Sequence, residues 1–174
     1  MFVPSCGAKE RDLEIHSLDQ AREDHRWMAE ALGLAEEAEK AGDVPVGALI
    51  VRDGVVLGRG YNRREAACDP TAHAEIVALR NAAKNIGNHR LVDTHLYVTL
   101  EPCTMCAGAL IHARVSSLIY GATEPKAGAV VSSATVLKNE SLNHQVEVID
   151  SICRDECSQL LTGFFSKKRE AREK

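Results

Sequence analysis

The sequence predicts an α/β domain built on one sheet with helices on both faces. Three observations carry this. Helical and strand patterns alternate through the middle of the chain, in the overall order α-β-β-α-β-α-β-β-α. The 174 residues hold no internal repeat and no linker long enough to divide them, and that length suits one domain with a real core. A composition of 45% hydrophobic and 26% charged residues is ordinary for a globular protein.

Each element has a local reason. Residues 1–17 read as a flexible N-terminal extension, polar and without period, and 18–174 as a single domain. From Asp19 onward, Trp27, Met28, Ala31, Leu32, Ala35 and Ala38 recur at helical spacing, and Gly42 supplies a stop. Val46–Arg52 and Val55–Tyr61 are β-rich runs joined by Asp53-Gly54, a two-residue hairpin signal. Asn62–Pro70 reads as a charged loop carrying Arg63 and Arg64. A second helix covers Ala72–Ile86, and Thr94–Leu100 is a strand. Pro102 opens a third helix through Ala113, since proline is tolerated at a helix start. Ser117–Gly121 and Val146–Ile149 are the fourth and fifth strands, Gly128–Lys138 is ambiguous, and Asp155–Lys174 is a helix ending in charge.

Composition also excludes. No apolar run approaches the roughly 20 residues that span a bilayer, so no membrane partner is expected. MFVPSCGAKERDLEIH lacks the basic start and apolar stretch of a secretory leader, so a cytoplasmic protein is expected. In that reducing setting the six cysteines read as metal ligands, catalytic groups or packed thiols rather than disulfides. A net charge of −4 argues against a protein wrapped in nucleic acid but leaves room for a local basic patch.

The chemistry sits at the starts of the two middle helices. One begins Pro70-Thr71-Ala72-His73-Ala74-Glu75, the other Glu101-Pro102-Cys103-Thr104-Met105-Cys106. Cysteines at i and i+3 share a helix face, so both sulfurs can reach one ion, and a helix N-terminus favours the thiolate. His73 can supply a third ligand from the neighbouring helix start. Three protein ligands with one open position is the layout of a catalytic zinc, and zinc brings the pKa of bound water to about 7. Glu75 lies two residues from His73 on a different side of the helix, free to move protons. The competing reading is a structural four-cysteine site using Cys153 and Cys157; packed thiols account for those two, and for Cys6 and Cys68, more simply.

H-x-E followed by P-C-x-x-C is the known signature of zinc deaminases. With VPVGALIV, GYNRR, DPTAHAEIVALR, LYVTLEPCTMCAGALIHARV, YGATEPKAGA and DECSQLLTGFF, the chain resembles the bacterial tRNA-specific adenosine deaminases from about Trp27 to Arg169. The resemblance implies a three-layer α/β/α cytidine-deaminase-like fold on a central mixed sheet of about five strands, and a homodimer. It implies one zinc per subunit on His73, Cys103 and Cys106, with Glu75 as proton shuttle. It implies hydrolytic conversion of adenosine to inosine at the wobble position of an arginine tRNA, bound through its anticodon stem-loop.

Substrate contacts follow from the same resemblance. Asn62 and Asn143 are implied RNA contacts, though each also suits a turn. Val46 is an implied pocket wall and also a fitting core residue. Phe165 with Phe164, and Arg169 with Lys167, Lys168 and Arg172, are implied anticodon-loop contacts, or an apolar face and a solvated helix end. The chain departs from many relatives at Glu124, where they have aspartate, and at Val131, where they have glycine. The extension has no recognised counterpart. Two other functions compete: deamination of a free base or nucleoside of the guanine, cytosine or deoxycytidylate type, and a non-catalytic zinc-stabilised binding module.

Overall fold

Asp53 and Gly54 reverse the chain with φ of 51° and 70°, the paired left-handed geometry of a tight hairpin turn. They join β1 (Gly47–Arg52) to β2 (Val55–Tyr61), as their sequence requires. The computed structural model describes residues 6–172, with side chains described over 18–171. The helix before the hairpin, α1, spans Cys6–Lys40 and ends where Gly42 takes φ 82°. α1 takes in residues 6–17, which the sequence reading gave to the flexible extension, and residues 1–5 lie outside the described residues.

The sheet has five strands in the order β2-β1-β3-β4-β5, with β3 at His95–Leu100, β4 at Ser117–Ala122 and β5 at Glu147–Ile149. β1 is antiparallel to β2 and β3, whereas β3, β4 and β5 run parallel, so the sheet is mixed as expected. The parallel pair β3–β4 needs a crossover, and α4 (Thr104–Ala113) is that crossover. The turn after β3 therefore lies at the carboxyl end of a parallel strand, where open α/β sheets bind ligands.

Alternation along the strands builds two cores, one per face. Ala48, Ile50, Leu96, Val98, Leu118 and Tyr120 pack with α3 (Ala74–Ile86) and α4. Leu49, Val51, Tyr97 and Ile119 pack with Trp27, Met28 and Ala31 of α1 and Cys157 of α5 (Arg154–Arg172). Both faces being covered explains why β1 reads as a continuous apolar run rather than an alternating one. On the α1 face the Tyr97 hydroxyl donates to buried Asp24 at 2.7 Å, tying helix to sheet. On the other face Gly58 and Gly60 of β2 let α3 lie against the strand. A Cβ on Gly60 would overlap the Ala74 carbonyl oxygen and come within 2.5 Å of the Ala78 nitrogen.

Several boundaries and one element differ from the sequence reading, the largest shift being at α1, which begins at Cys6 rather than at Asp19. α3 begins at Ala74 and α4 at Thr104, because His73 and Cys103 hold extended N-cap backbone. The loop Asn62–Pro70 contains a short helix, α2 (Arg64–Ala67). Its first N–H groups are satisfied from far away: the carboxylate of fully buried Asp43 accepts from Glu65 N at 3.0 Å and Ala66 N at 3.2 Å. The ambiguous segment Gly128–Lys138 is mostly turn, closing with a 3₁₀ turn at Val136–Lys138.

Candidate active site

The two helix starts converge as their spacing predicts. His73 Nδ1 lies 3.7 Å from Cys103 Sγ and 3.6 Å from Cys106 Sγ, and the sulfurs are 3.7 Å apart. A tetrahedral zinc with Zn–S of about 2.3 Å and Zn–N of about 2.05 Å separates two sulfurs by about 3.8 Å and a sulfur and nitrogen by about 3.6 Å. The three side chains therefore fit zinc without rearrangement, and their soft sulfur and imidazole donors suit it.

Placing His73 at an N-cap costs α3 its usual cap, since an imidazole turned toward two sulfurs cannot also accept from the helix. Asn62 supplies the missing acceptor: its Oδ1 takes the Ala74 N–H at 2.9 Å, and its Nδ2 donates to the Val44 carbonyl at 3.1 Å. Buried Asn62 thus ties the helix start to the Val44-Pro45-Val46 turn.

Electrostatics separates the groups. The Cys103 thiol is held down to about 3, first by hydrogen bonding to Cys106 and then by His73, against burial. The same contact, together with burial, pushes Cys106 up, so as side chains alone the pair favours a thiolate on Cys103. His73 is raised, chiefly by its contact with Cys103. Glu75 is only 4% exposed, and burial raises its carboxyl, the condition for a group that must both take and give a proton.

His73, Glu75 and Cys103 open into a cleft of about 210 Å³. Val46, Asn62 and Phe165 line it with them, so most of the expected substrate contacts meet in one place. Arg169 lines an adjoining cleft of about 570 Å³ that shares Leu100, Glu124 and Phe165 with the first. Asn143 is not brought here. Its carbonyl and Oδ1 accept from Arg114 at 2.7 and 3.0 Å, in a separate groove beside Gly108 and His112 of α4. Lys167 is paired with Glu39 at 2.9 Å, and Lys168 sits 4.9 Å over the Phe164 ring, so neither is a free cation.

Arg64, Glu101 and Ala127 also line the cleft, and the sequence pattern assigned them no role in its wall. Glu101 left one signal, an acid ending an apolar strand directly before Pro102. Burial alone would raise its carboxyl, but hydrogen bonds from the Ser132 hydroxyl and several backbone N–H groups hold it at about 2. Cys157 is buried as a packed thiol should be, whereas Cys68 is exposed at the left-handed end of α2 and does not pack. Cys153 lies 3.3 Å from His25, and Cys6 lies outside the described side chains.

Comparison with known proteins agrees with this geometry. A sequence model of the MafB19-like deaminases matches residues 22–169. The chain is 50% identical over 148 residues to the tRNA-specific adenosine deaminase of Haemophilus influenzae, covering 84% of this chain and 86% of that one. A solved structure from work on A-to-I editing by tRNA:A34 deaminases at the wobble position of transfer RNA superposes with a TM-score of 0.76. It is 42% identical and covers 78% of this chain and 99% of that one. A guanine deaminase from Nitrosomonas europaea is similar at 25% identity and a TM-score of 0.71, covering 80% of this chain and 83% of that one.

Proposed function

The chain belongs to the MafB19-like deaminases and to the tRNA-specific adenosine deaminases, and from that premise we propose that it converts adenosine to inosine at the wobble position of an arginine tRNA, hydrolytically and with zinc. The observation that carries the chemistry is the cluster of His73, Cys103 and Cys106 at zinc-ligand spacing, with buried Glu75 beside it in the same cleft. His73 Nδ1 and the two sulfurs would hold the ion, which when bound supplies the Lewis acidity that lets water react near neutral pH. Glu75 takes one proton from the attacking water and delivers it to N1 of adenine; it then passes the second proton, from the new C6 hydroxyl, to the amine, so that the C6–N bond breaks, ammonia leaves and C6 becomes the carbonyl of inosine.

The rest of the cleft positions the base. Asn62 fixes the start of α3 and the Val44–Val46 turn, so its contribution to base recognition runs through the wall it holds. Phe165 is 44% exposed at the mouth and offers a stacking face to an unpaired base. Chemistry on a base requires it out of the stack, at least cost for a base already unpaired, and an anticodon loop presents such bases. Asn143 faces away from this cleft; a homodimer, with a second copy against the α4 side, is the arrangement that gives it an RNA-contacting role. Among the described residues no helix is long and apolar enough to cross a membrane. A tRNA substrate is what assigns the enzyme to the cytoplasm.

The test is inosine formation in an arginine-tRNA anticodon stem-loop, beside free adenosine, cytidine and guanine. Inosine at the first anticodon position, lost on zinc removal, is the expected result. Ammonia released only from a free base would keep the chemistry and overturn the RNA substrate.

A further inference from the structure

Glu101 stands in the wall of the cleft, one residue past β3, and is only 3% exposed. A buried carboxylate beside a reacting base would ordinarily be a second proton carrier. Its oxygens are not free to act as one. Oε1 accepts from Val130 N at 3.0 Å, Val131 N at 2.9 Å and Ser132 N at 3.0 Å. Oε2 accepts from Glu124 N at 3.0 Å and from the Ser132 hydroxyl. A carboxylate has about four lone-pair sites, and five donors occupy them.

Those donors come from both ends of one loop. Residues 124 and 130–132 are gathered onto a single side chain, and the exposed tip Pro125-Lys126-Ala127 is held between them. The loop is tied at the same point to the metal-side turn. Gly128 bridges to Cys103, and Ala129 N donates to the Pro102 carbonyl at 2.8 Å. Gly128 has no room for a side chain: a Cβ there would overlap the Glu101 carboxylate. The loop in turn supplies Glu124 and Ala127 to the cleft.

We propose that Glu101 is a positioning residue that clamps the 124–132 loop against the Cys103 turn and so sets the substrate side of the cleft, without itself handling a proton. The kinetic part of this rests on the tRNA deaminase reading; the clamp itself does not. Glu101→Gln is the informative change. Its amide oxygen can keep the three N–H donors of Val130–Ser132, but its NH2 then confronts the Glu124 N–H, so the loop is released at the Glu124 end.

Hydrogen exchange of the full chain tests the clamp with no substrate present. In Glu101→Gln the Glu124 amide should lose protection while α3 and α4 keep theirs and zinc stays at the wild-type ratio. On the anticodon stem-loop, KM should rise about tenfold with kcat within about threefold and an unaltered pH profile, as expected for lost positioning rather than lost proton transfer. Gly128→Ala should repeat the KM effect by displacing the same carboxylate, and Ser132→Ala should show a smaller one; these decide the matter if Glu101→Gln does not fold. Unchanged exchange at Glu124 would overturn the clamp. A fall in kcat with a displaced pH profile would overturn the positioning role in favour of a proton carrier. Loss of zinc would show that Glu101 serves the metal site instead. A wild-type protein inactive on the stem-loop would sink the tRNA reading and leave the exchange result standing.

Discussion

The floor and the rim of the cleft are built by opposite means. The floor is His73, Glu75, Cys103 and Cys106, four side chains within the starts of two helices that pack on one face of the sheet. The rim is α2, the 124–132 loop and Phe165 of α5; α2 buries none of its four residues, and the loop exposes its tip, Pro125-Lys126-Ala127. Helix geometry positions the floor, whereas two buried carboxylates, Asp43 and Glu101, hold most of the rim by accepting backbone N–H groups 22 to 31 residues away. Damage to the floor should therefore appear in kcat, and damage to the rim in KM.

The floor gives the largest expected effect. Glu75→Ala should lower kcat by about 10²–10⁴-fold, the usual worth of a positioned general acid–base group. Zinc content and KM should be close to wild type, because Glu75 is not among the three clustered ligands. A loss under about tenfold, measured as single-turnover inosine formation, would break the comparison, since the floor would then contain no proton carrier.

The same contrast separates what the amino-acid sequence makes legible from what only the fold reveals. The floor is legible because i, i+3 cysteines and a paired His-x-Glu encode their geometry locally. The hairpin is legible because Asp53-Gly54 demands a left-handed turn. The rim is not, because its organising contacts are distant in sequence. Nothing in REAA announces a helix until Asp43 accepts its N–H groups, and nothing in Glu101 names Val130 or Ser132 as partners. Asn62 illustrates both sides. GYN marks it as a site residue, but its work of capping α3 in place of His73 follows only from the fold. Asn143 turns to Arg114 in a groove apart from the cleft, a placement that LNH does not encode.

Asp43→Asn sharpens the rim half with a middle-sized effect. The amide keeps one acceptor but turns an NH2 toward a second N–H, so α2 loses one charge-assisted bond and the fold about 1–3 kcal/mol in urea unfolding. Arg64, at the start of α2, lines the cleft. KM for the stem-loop should rise a few-fold while kcat holds. A fall in kcat without a change in KM would mean that α2 supports the floor rather than the rim.

The smallest effect belongs to Arg169, where floor and rim no longer compete and the question is whether the outermost cation touches substrate. It lines the adjoining cleft with Phe165 and Lys126, and no ion pair among the described residues occupies it, unlike Lys167, which Glu39 holds. A phosphate contact would be uniform across sequences and sensitive to salt. Arg169→Ala should then weaken stem-loop binding about threefold to tenfold, leave kcat unchanged, and reduce the slope of log K against log salt by about one. A helix-end role makes a different forecast: a basic residue near a helix C-terminus interacts with the dipole, worth about 0.3–1 kcal/mol of stability and nothing in binding. An unchanged salt slope with a lowered melting temperature would remove Arg169 from the substrate surface and draw the rim's outer limit at Phe165.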